Sequence, residues 1–408
     1  MSAEGTRTPQ KIGIYGGTFD PIHRGHMAAA RAAVNALGLD RLLLIPAGIP
    51  PHKQLAREAA PQEDRLIMTE IAADCLNLPV PTEVLPLELE RGGKSYTSDT
   101  LRALRMQYPQ DELWLLMGAD MFLTLHTWHE PEVILRLARI CAFGRDVQNG
   151  EARFAEQKAL LEALSPGCGI VTLHIPELVE VSSTEIRAQL AQGIVPEGLE
   201  PSVYGHIIRR GLYGTSFDLK HLDWPQLRAA SYSMVKARRL PHIRGIEEEA
   251  VRLARRWGAD EDAARTAAIL HDCTKYLNLK EQLQLCGKYG ILLDNTERNT
   301  LKLLHAKTGA AIARAVYGVS DAVYEAIYWH TTGKADMSLL EKVIYIADYM
   351  EPSRDFEGVE NLRALVDYDL DAAVLLGLEM TIEEMRGLGS PVHMRTFEAR
   401  DWLRGRRG

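Results

Sequence analysis

The chain has 408 residues, 46% of them hydrophobic and 25% charged, the profile of an ordinary globular protein long enough for two cores. Its 47 basic residues against 55 acidic ones leave a net charge of -8, which argues against general nucleic-acid binding through the phosphate backbone. Residues 1 to 10 lack the apolar core of a signal peptide and no apolar run is long enough to span a bilayer, so a cytoplasmic protein without membrane contact is expected.

Lys11 to Tyr15 is a short apolar run closed by Gly16-Gly17, and an alanine-rich segment from Gly25 to Leu37 follows, so the pattern predicts strand, loop and helix. The alternation repeats: strand over Arg41 to Ile45, helix over Gln62 to Cys75, strand over Glu112 to Met117, helix over Glu132 to Leu137. Apolar runs at Ile140 to Phe143 and Ile170 to Leu173 extend the sheet before a helix starting near Ser183. Strands alternating with helices predict an α/β domain with a parallel sheet covered on both faces. After about Leu212 the texture changes, and residues 215–224 read as a linker between domains at 1–214 and 225–408. The second domain is predicted all-α, with apolar residues at three- and four-residue spacing over Ala250 to Trp257, Ala263 to Leu270, Leu301 to Val316, Ala322 to His330 and Leu339 to Met350. Arg395 to Arg407 reads as a short solvated tail. Five cysteines, widely spread and without a C-x-x-C pair, argue against a disulfide framework and a thiolate zinc site.

Gly16-Gly17-Thr18-Phe19-Asp20-Pro21-Ile22-His23-Arg24-Gly25-His26 lies where the first strand turns into the first helix, the place at which parallel sheets bind nucleotides. Paired glycines let the backbone approach a phosphate, the helix start offers unpaired N–H groups, and His23 and His26 are spaced to converge on one group. Ser182-Ser183-Thr184-Glu185-Ile186-Arg187 joins hydroxyls, a helix start and a guanidinium, an arrangement suited to a triphosphate and equally to a plain capping box. Pro46 to Lys53 is a rigid loop after the second strand, whether connector or phosphate contact. Ser95 to Thr100 precedes a helix, Asp120 follows the strand Glu112 to Met117, and Trp128 could stack on a flat ring.

In this order, GGTFDPIHRGH, PPHK, SYTSDTL, GADMFLTLHTW and SSTEIR resemble the bacterial nicotinate-nucleotide adenylyltransferases over about residues 11 to 213. The resemblance implies a Rossmann-like nucleotidyltransferase that transfers AMP from Mg2+-bound ATP to nicotinate mononucleotide, giving deamido-NAD and pyrophosphate. It assigns Gly16, Gly17, Thr18, Phe19, His23, His26, Ser183, Thr184 and Arg187 to ATP, with His23 and His26 catalytic. Lys53, Tyr96, Thr97, Asp120 and Trp128 fall to the nicotinate nucleotide, and nicotinamide mononucleotide is the rival acceptor. One departure stands out: His206 occupies the tyrosine position of a late V-x-x-Y-I element.

In the second half His242, His271-Asp272, His305, His330 and Asp348 interrupt apolar helices where core residues are expected. Buried carboxylates and imidazoles are costly unless paired or bound to metal, and six in one small domain are hard to explain as satisfied core residues. The order H…HD…D, with the strings LHDCTK, LLHAKTG, YWHTTGKADMSLLEK and YIADYMEPSRDF, resembles the HD-domain phosphohydrolases that split diadenosine tetraphosphate symmetrically, over about residues 226 to 370. That resemblance implies metal ligation by His242, His271, Asp272 and Asp348, a second ion at His305 and His330 bridged by Asp272, catalysis at Asp272, and phosphate contacts from Lys275 and Arg354. Imidazole and carboxylate ligands without sulfur favour Fe2+ or Mn2+ over structural zinc. The alternatives are another nucleotide substrate or a metal-bound regulatory module, and oligomerisation is left open.

Overall fold

The computed structural model describes residues 8–49, 59–144, 151–175 and 181–406, which fall into two units, Met1–Ser216 and Phe217–Gly408. In the first, six parallel strands form one sheet: β1 (Lys11–Gly17), β2 (Arg41–Pro46), β3 (Thr82–Val84), β4 (Glu112–Gly118), β5 (Arg139–Gly144) and β6 (Ile170–His174). Continuous burial of Ile12 to Tyr15 and of Leu113 to Met117 follows from coverage on both faces. The expected alternation is present. β3 adds an edge strand that the sequence pattern did not mark, because three half-buried residues are too few to show a period.

The strand order β3-β2-β1-β4-β5-β6 is that of a doubly wound Rossmann-like sheet. The chain winds outward from β1 to β3, then returns to the other side of β1, so the topology reverses between β1 and β4. Tyr15 pairs with Leu116 there, and the loops leaving the two strands open side by side at the carboxyl end.

Arg65, on the helix α1 (Gln62–Leu76), holds these loops from beneath. Its side chain is fully buried and donates to the carbonyls of Thr18 (2.8 Å), Ala47 (2.7 Å) and Gly48 (3.3 Å), joining the loop after β1 to the loop after β2. The neighbouring Asp64 is buried too, and accepts from His206 Nε2 at 2.9 Å and Arg210 Nε at 3.0 Å on the helix α2 (Pro201–Arg210). His206, at the point of departure from the family pattern, is therefore a paired core residue.

In the second unit helices α3 (Leu240–Trp257), α4 (Glu261–Leu270), α5 (Leu301–Tyr317), α6 (Asp321–Trp329) and α7 (Leu339–Met350) surround a core that includes Ile246, Leu253, Ile269, Ile327, Ile344 and Ile346. α3 begins ten residues before the apolar period becomes visible at Ala250, with Pro241 in its first turn, so His242 lies at a helix start. Leu219, Leu222 and Trp224 pack against this core. Two further helices, α8 (Leu370–Gly387) and α9 (Met394–Gly405), cover it through Val374, Leu378, Ala399 and Leu403. The basic end is accordingly an amphipathic helix rather than a solvated tail, since Ala399 and Leu403 find an apolar surface. No helix among the described residues is long and apolar enough to cross a membrane.

Removing the Arg65 guanidinium strands three carbonyls that it now satisfies. Arg65→Ala is expected to lower stability by about 3 kcal/mol in urea unfolding, with Arg65→Lys retaining part of it. An unchanged midpoint in Arg65→Ala would contradict the stapling role.

Candidate functional site

The loop from Thr18 to His23 connects β1 to the helix Arg24–Leu37. A Cβ on Gly17 would lie 2.8 Å from the Phe19 ring, and Phe19 itself takes a left-handed backbone (φ 48), so the turn is crowded on its protein side. The His23 and His26 rings lie against each other, centroids 3.7 Å apart and planes tilted by 33°. The His23 amide donates to His26 Nδ1 at 3.3 Å, which leaves the proton of a neutral His26 on Nε2. Burial pushes the His23 pKa down to about 4, so this ring is neutral at pH 7.

Ser182-Ser183-Thr184-Glu185-Ile186-Arg187 forms the capping box that its pattern allows and also reaches the loop after β1. Ser182 Oγ accepts from the Glu185 amide, and the Glu185 carboxylate accepts from the Ser182 amide, each at 3.1 Å, closing a capping box on the helix Ser183–Ala191. The next residues grip the first loop: Ser183 Oγ donates to Pro21 O at 3.1 Å, and Arg187 donates to Asp20 O at 2.6 Å and to Thr184 Oγ1 at 3.3 Å. Asp20, buried, also accepts from the Ala60 amide and the Tyr213 hydroxyl. Nothing local in the sequence marks Asp20, Tyr213 and Arg65, because their partners lie 40 or more residues away or on main-chain carbonyls.

Across the switch point, Gly118 ends β4 and the exposed Asp120 sits in the short helix that follows. Burial, and after it the charge of Asp120, raises the pKa of the Tyr15 hydroxyl on β1. Trp128 Nε1 donates to Thr124 Oγ1 at 3.4 Å, and the Tyr96 ring lies 4.2 Å from that of His129. Arg102 clasps Glu130 with two bonds of 2.7 Å, tying the helix Thr97–Gln107 to the segment after Trp128. Tyr96, Thr97 and Trp128 are thus brought into one neighbourhood. Lys53 lies outside the described residues.

In the helical unit three triads of ligand-type atoms form: Asp294, Glu297 and His393, with an exposed member, and the two that gather the residues named from the sequence, His242, His271 and Asp348, and Asp272, His305 and His330. Asp272 touches both of the latter. Its Oδ2 is 3.5 Å from His271 Nε2 and 3.9 Å from His242 Nε2, while its Oδ1 is 3.3 Å from His305 Nε2 and 4.0 Å from His330 Nε2. Ligand atoms roughly 2.1 Å from a cation sit about 3 to 3.5 Å from one another, so this spacing suits divalent cations. The buried Nε2 atoms of His242 and His271 have carboxylate oxygens at 3.3 and 3.5 Å but no well-formed hydrogen bond, as open ligand positions require.

Charge states agree with that chemistry at His305, His330, Asp272 and Asp348, while at His242 burial lowers the pKa but the Asp348 and Glu351 carboxylates outweigh it and raise it. Burial lowers the pKa of His305 and takes that of His330 to about 3, leaving neutral rings. Burial works against ionised Asp272 and Asp348, but the neighbouring histidines outweigh it and hold both carboxyls well below the usual range. His271 and His330 each donate from Nδ1 to a main-chain carbonyl, Ala268 O and Ile327 O, at 2.6 Å. Lys275 and Arg354, about a third exposed, hold the site's own groups: Lys275 Nζ is 3.0 Å from His305 Nε2, and Arg354 donates to Asp348 Oδ1 at 2.8 Å. Arg239, which no sequence pattern marks, donates to Asp272 Oδ2 at 2.7 Å.

Residues 14–189 match the Cytidylyltransferase-like family and residues 239–353 match the HD domain. A probable nicotinate-nucleotide adenylyltransferase of Neisseria meningitidis is 38% identical over 205 residues, covering 50% of this chain and 98% of that protein. Its counterpart in a Shewanella species is 38% identical over 215 residues, covering 50% and 99%. Among solved structures, a Clostridium acetobutylicum protein described as a predicted HD superfamily hydrolase involved in NAD metabolism is 37% identical, covering 45% of this chain and 98% of that one, with a TM-score of 0.44. The first half of the chain belongs to the nicotinate-nucleotide adenylyltransferase family, and its second half carries an HD domain.

Proposed function

We propose that the first unit transfers AMP from Mg2+-bound ATP to nicotinate mononucleotide, giving deamido-NAD and pyrophosphate. The observation that carries this reading, beside family membership, is the close His23–His26 pair at the switch point, in a loop braced by Ser183 and Arg187. The 5′-phosphate oxygen of the acceptor attacks the α-phosphorus of ATP, and the bond to the β-phosphate breaks. No protein nucleophile takes part. Gly16 to Phe19 bring main-chain amides to the phosphates, His26 offers its Nε2 proton, His23 lies against it, and Ser183, Thr184 and Arg187 close over the nucleotide. Lys53 contacts phosphate, while Tyr96, Thr97, Asp120 and Trp128 receive the nicotinate nucleotide, with Trp128 available to stack on its ring.

For the helical unit we infer hydrolysis of diadenosine tetraphosphate to two ADP, carried by the two triads that share Asp272. His242, His271, Asp348 and Asp272 would hold one divalent cation, Fe2+ or Mn2+, and His305 and His330 a second. Such ions polarise a phosphoryl oxygen and lower the pKa of water. Asp272 keeps the two halves of the site in register, and the outward parts of Lys275 and Arg354 contact the phosphate chain. Water opens the central phosphoanhydride, so each product keeps two phosphates. Both activities belong to the cytoplasm, where their nucleotides are found.

His26→Ala is expected to lower deamido-NAD formation by about 10²- to 10³-fold in kcat, measured by chromatography, with the thermal melt unchanged. Full turnover in this variant would rule out the role given to His26, and faster turnover on nicotinamide mononucleotide would reassign the acceptor. Asp272→Ala should abolish ADP release from diadenosine tetraphosphate, assayed anaerobically with ferrous or manganous ion, while leaving adenylyl transfer intact. AMP and ATP as products would contradict symmetric cleavage, and no product would point to a different nucleotide.

A further inference from the structure

Metal-facing histidines need an acceptor for the other ring nitrogen, because that bond decides which nitrogen keeps its lone pair. His271 and His330 find theirs at hand: each is the C-cap residue of its helix, α4 and α6, where last-turn carbonyls have no intrahelical donor. His242 has no such resource. It is the third residue of α3, and at a helix start the spare main-chain groups are N–H donors.

The missing acceptor is Glu351, the residue that ends α7 three positions beyond Asp348. Its side chain is fully buried, and Oε1 accepts from His242 Nδ1 at 2.9 Å and from Ser353 Oγ at 2.5 Å, while Oε2 accepts from the Ser353 amide at 2.7 Å. The carboxylate is thereby held by the loop that follows it. Gly245, one turn after His242, lets α3 come this close: a Cβ there would lie 2.4 Å from Glu351 Oε2 and 3.3 Å from Pro352 Cδ. With Nδ1 so occupied, His242 turns Nε2 to Asp348 Oδ1 at 3.3 Å and Asp272 Oδ2 at 3.9 Å.

We propose that Glu351 is a positioning residue that locks His242 with its proton on Nδ1 and makes Nε2 a stronger donor to a divalent cation at the His242–His271–Asp348 triad. The inference rests on the metal-dependent reading given above. The Asp272–His305–His330 triad does not depend on Glu351. An ionised carboxylate behind an imidazole raises its basicity as well as fixing its orientation, which a main-chain carbonyl does less strongly.

Titration of the full chain with Mn2+, followed by electron paramagnetic resonance, reads the affinity of each binding event. Glu351→Ala is expected to weaken one event by about 10- to 100-fold and to leave the other unchanged. Glu351→Gln, whose amide oxygen still accepts from Nδ1–H without the charge, should weaken the same event by a smaller factor. If the alanine variant melts early, the glutamine variant and ring-nitrogen NMR of the metal-free wild type carry the test, with the His242 proton expected on Nδ1. A proton on Nε2 in the wild type, or wild-type Mn2+ affinities in both variants, would overturn the role of Glu351 alone. Absence of Mn2+ binding by the wild type would overturn the metal reading together with it.

Discussion

Asp272 is wholly buried, and a carboxylate withdrawn from water costs several kcal/mol unless charged partners answer it at close range. Much of the helical unit can be understood as that answer. Arg239 reaches it from the turn before α3, Lys275 from one turn beyond it, His305 from α5, His330 from the end of α6 and His242 from the start of α3. Three helices, α3, α5 and α6, converge on one side chain, and the apolar core behind them fixes their separation. The same arrangement concentrates imidazole and carboxylate atoms at the spacing that a divalent cation requires.

The first unit obeys the same constraint with different chemistry. Asp20 and Arg65 are buried beneath the phosphate-type loop, where Arg65 takes main-chain carbonyls and Asp20 takes an amide, a phenol and the Arg187 guanidinium. Their burial converts what would be a mobile glycine-containing turn into a fixed surface. Phosphoryl chemistry without a protein nucleophile depends on such fixity, because alignment and prepositioned donors supply most of the rate.

The topological reversal between β1 and β4 sets where that fixity is useful. It brings the helix start bearing His23 and His26 to the same end of the sheet as the short helix bearing Asp120, although about a hundred residues separate them in the chain. Arg102 and Glu130 perform the local part of the same task, drawing Tyr96 and Thr97 to the segment of Trp128. In both cases a salt bridge or a strand register decides the meeting.

By itself the sequence determined the alternation of strands and helices, because periodicity and apolar runs are local, and it marked the chemistry-bearing strings, because histidines and aspartates in apolar helices stand out against their neighbours. It also showed that Ser182 to Glu185 could cap a helix, since a capping box spans only four residues. Only the tertiary structure decided which side chains support those strings. Arg65 looks like any helix arginine until the carbonyls of Thr18, Ala47 and Gly48 are folded around it. Glu351 looks like a loop carboxylate until Gly245 brings α3 against it, and His206 like a lapse from the family pattern until Asp64 is buried beside it. β3 and the true start of α3 were hidden for the opposite reason, being too short or too weakly apolar to carry a period. Local pattern is written along the chain, whereas the partner of a buried charge is chosen by packing between segments far apart in it.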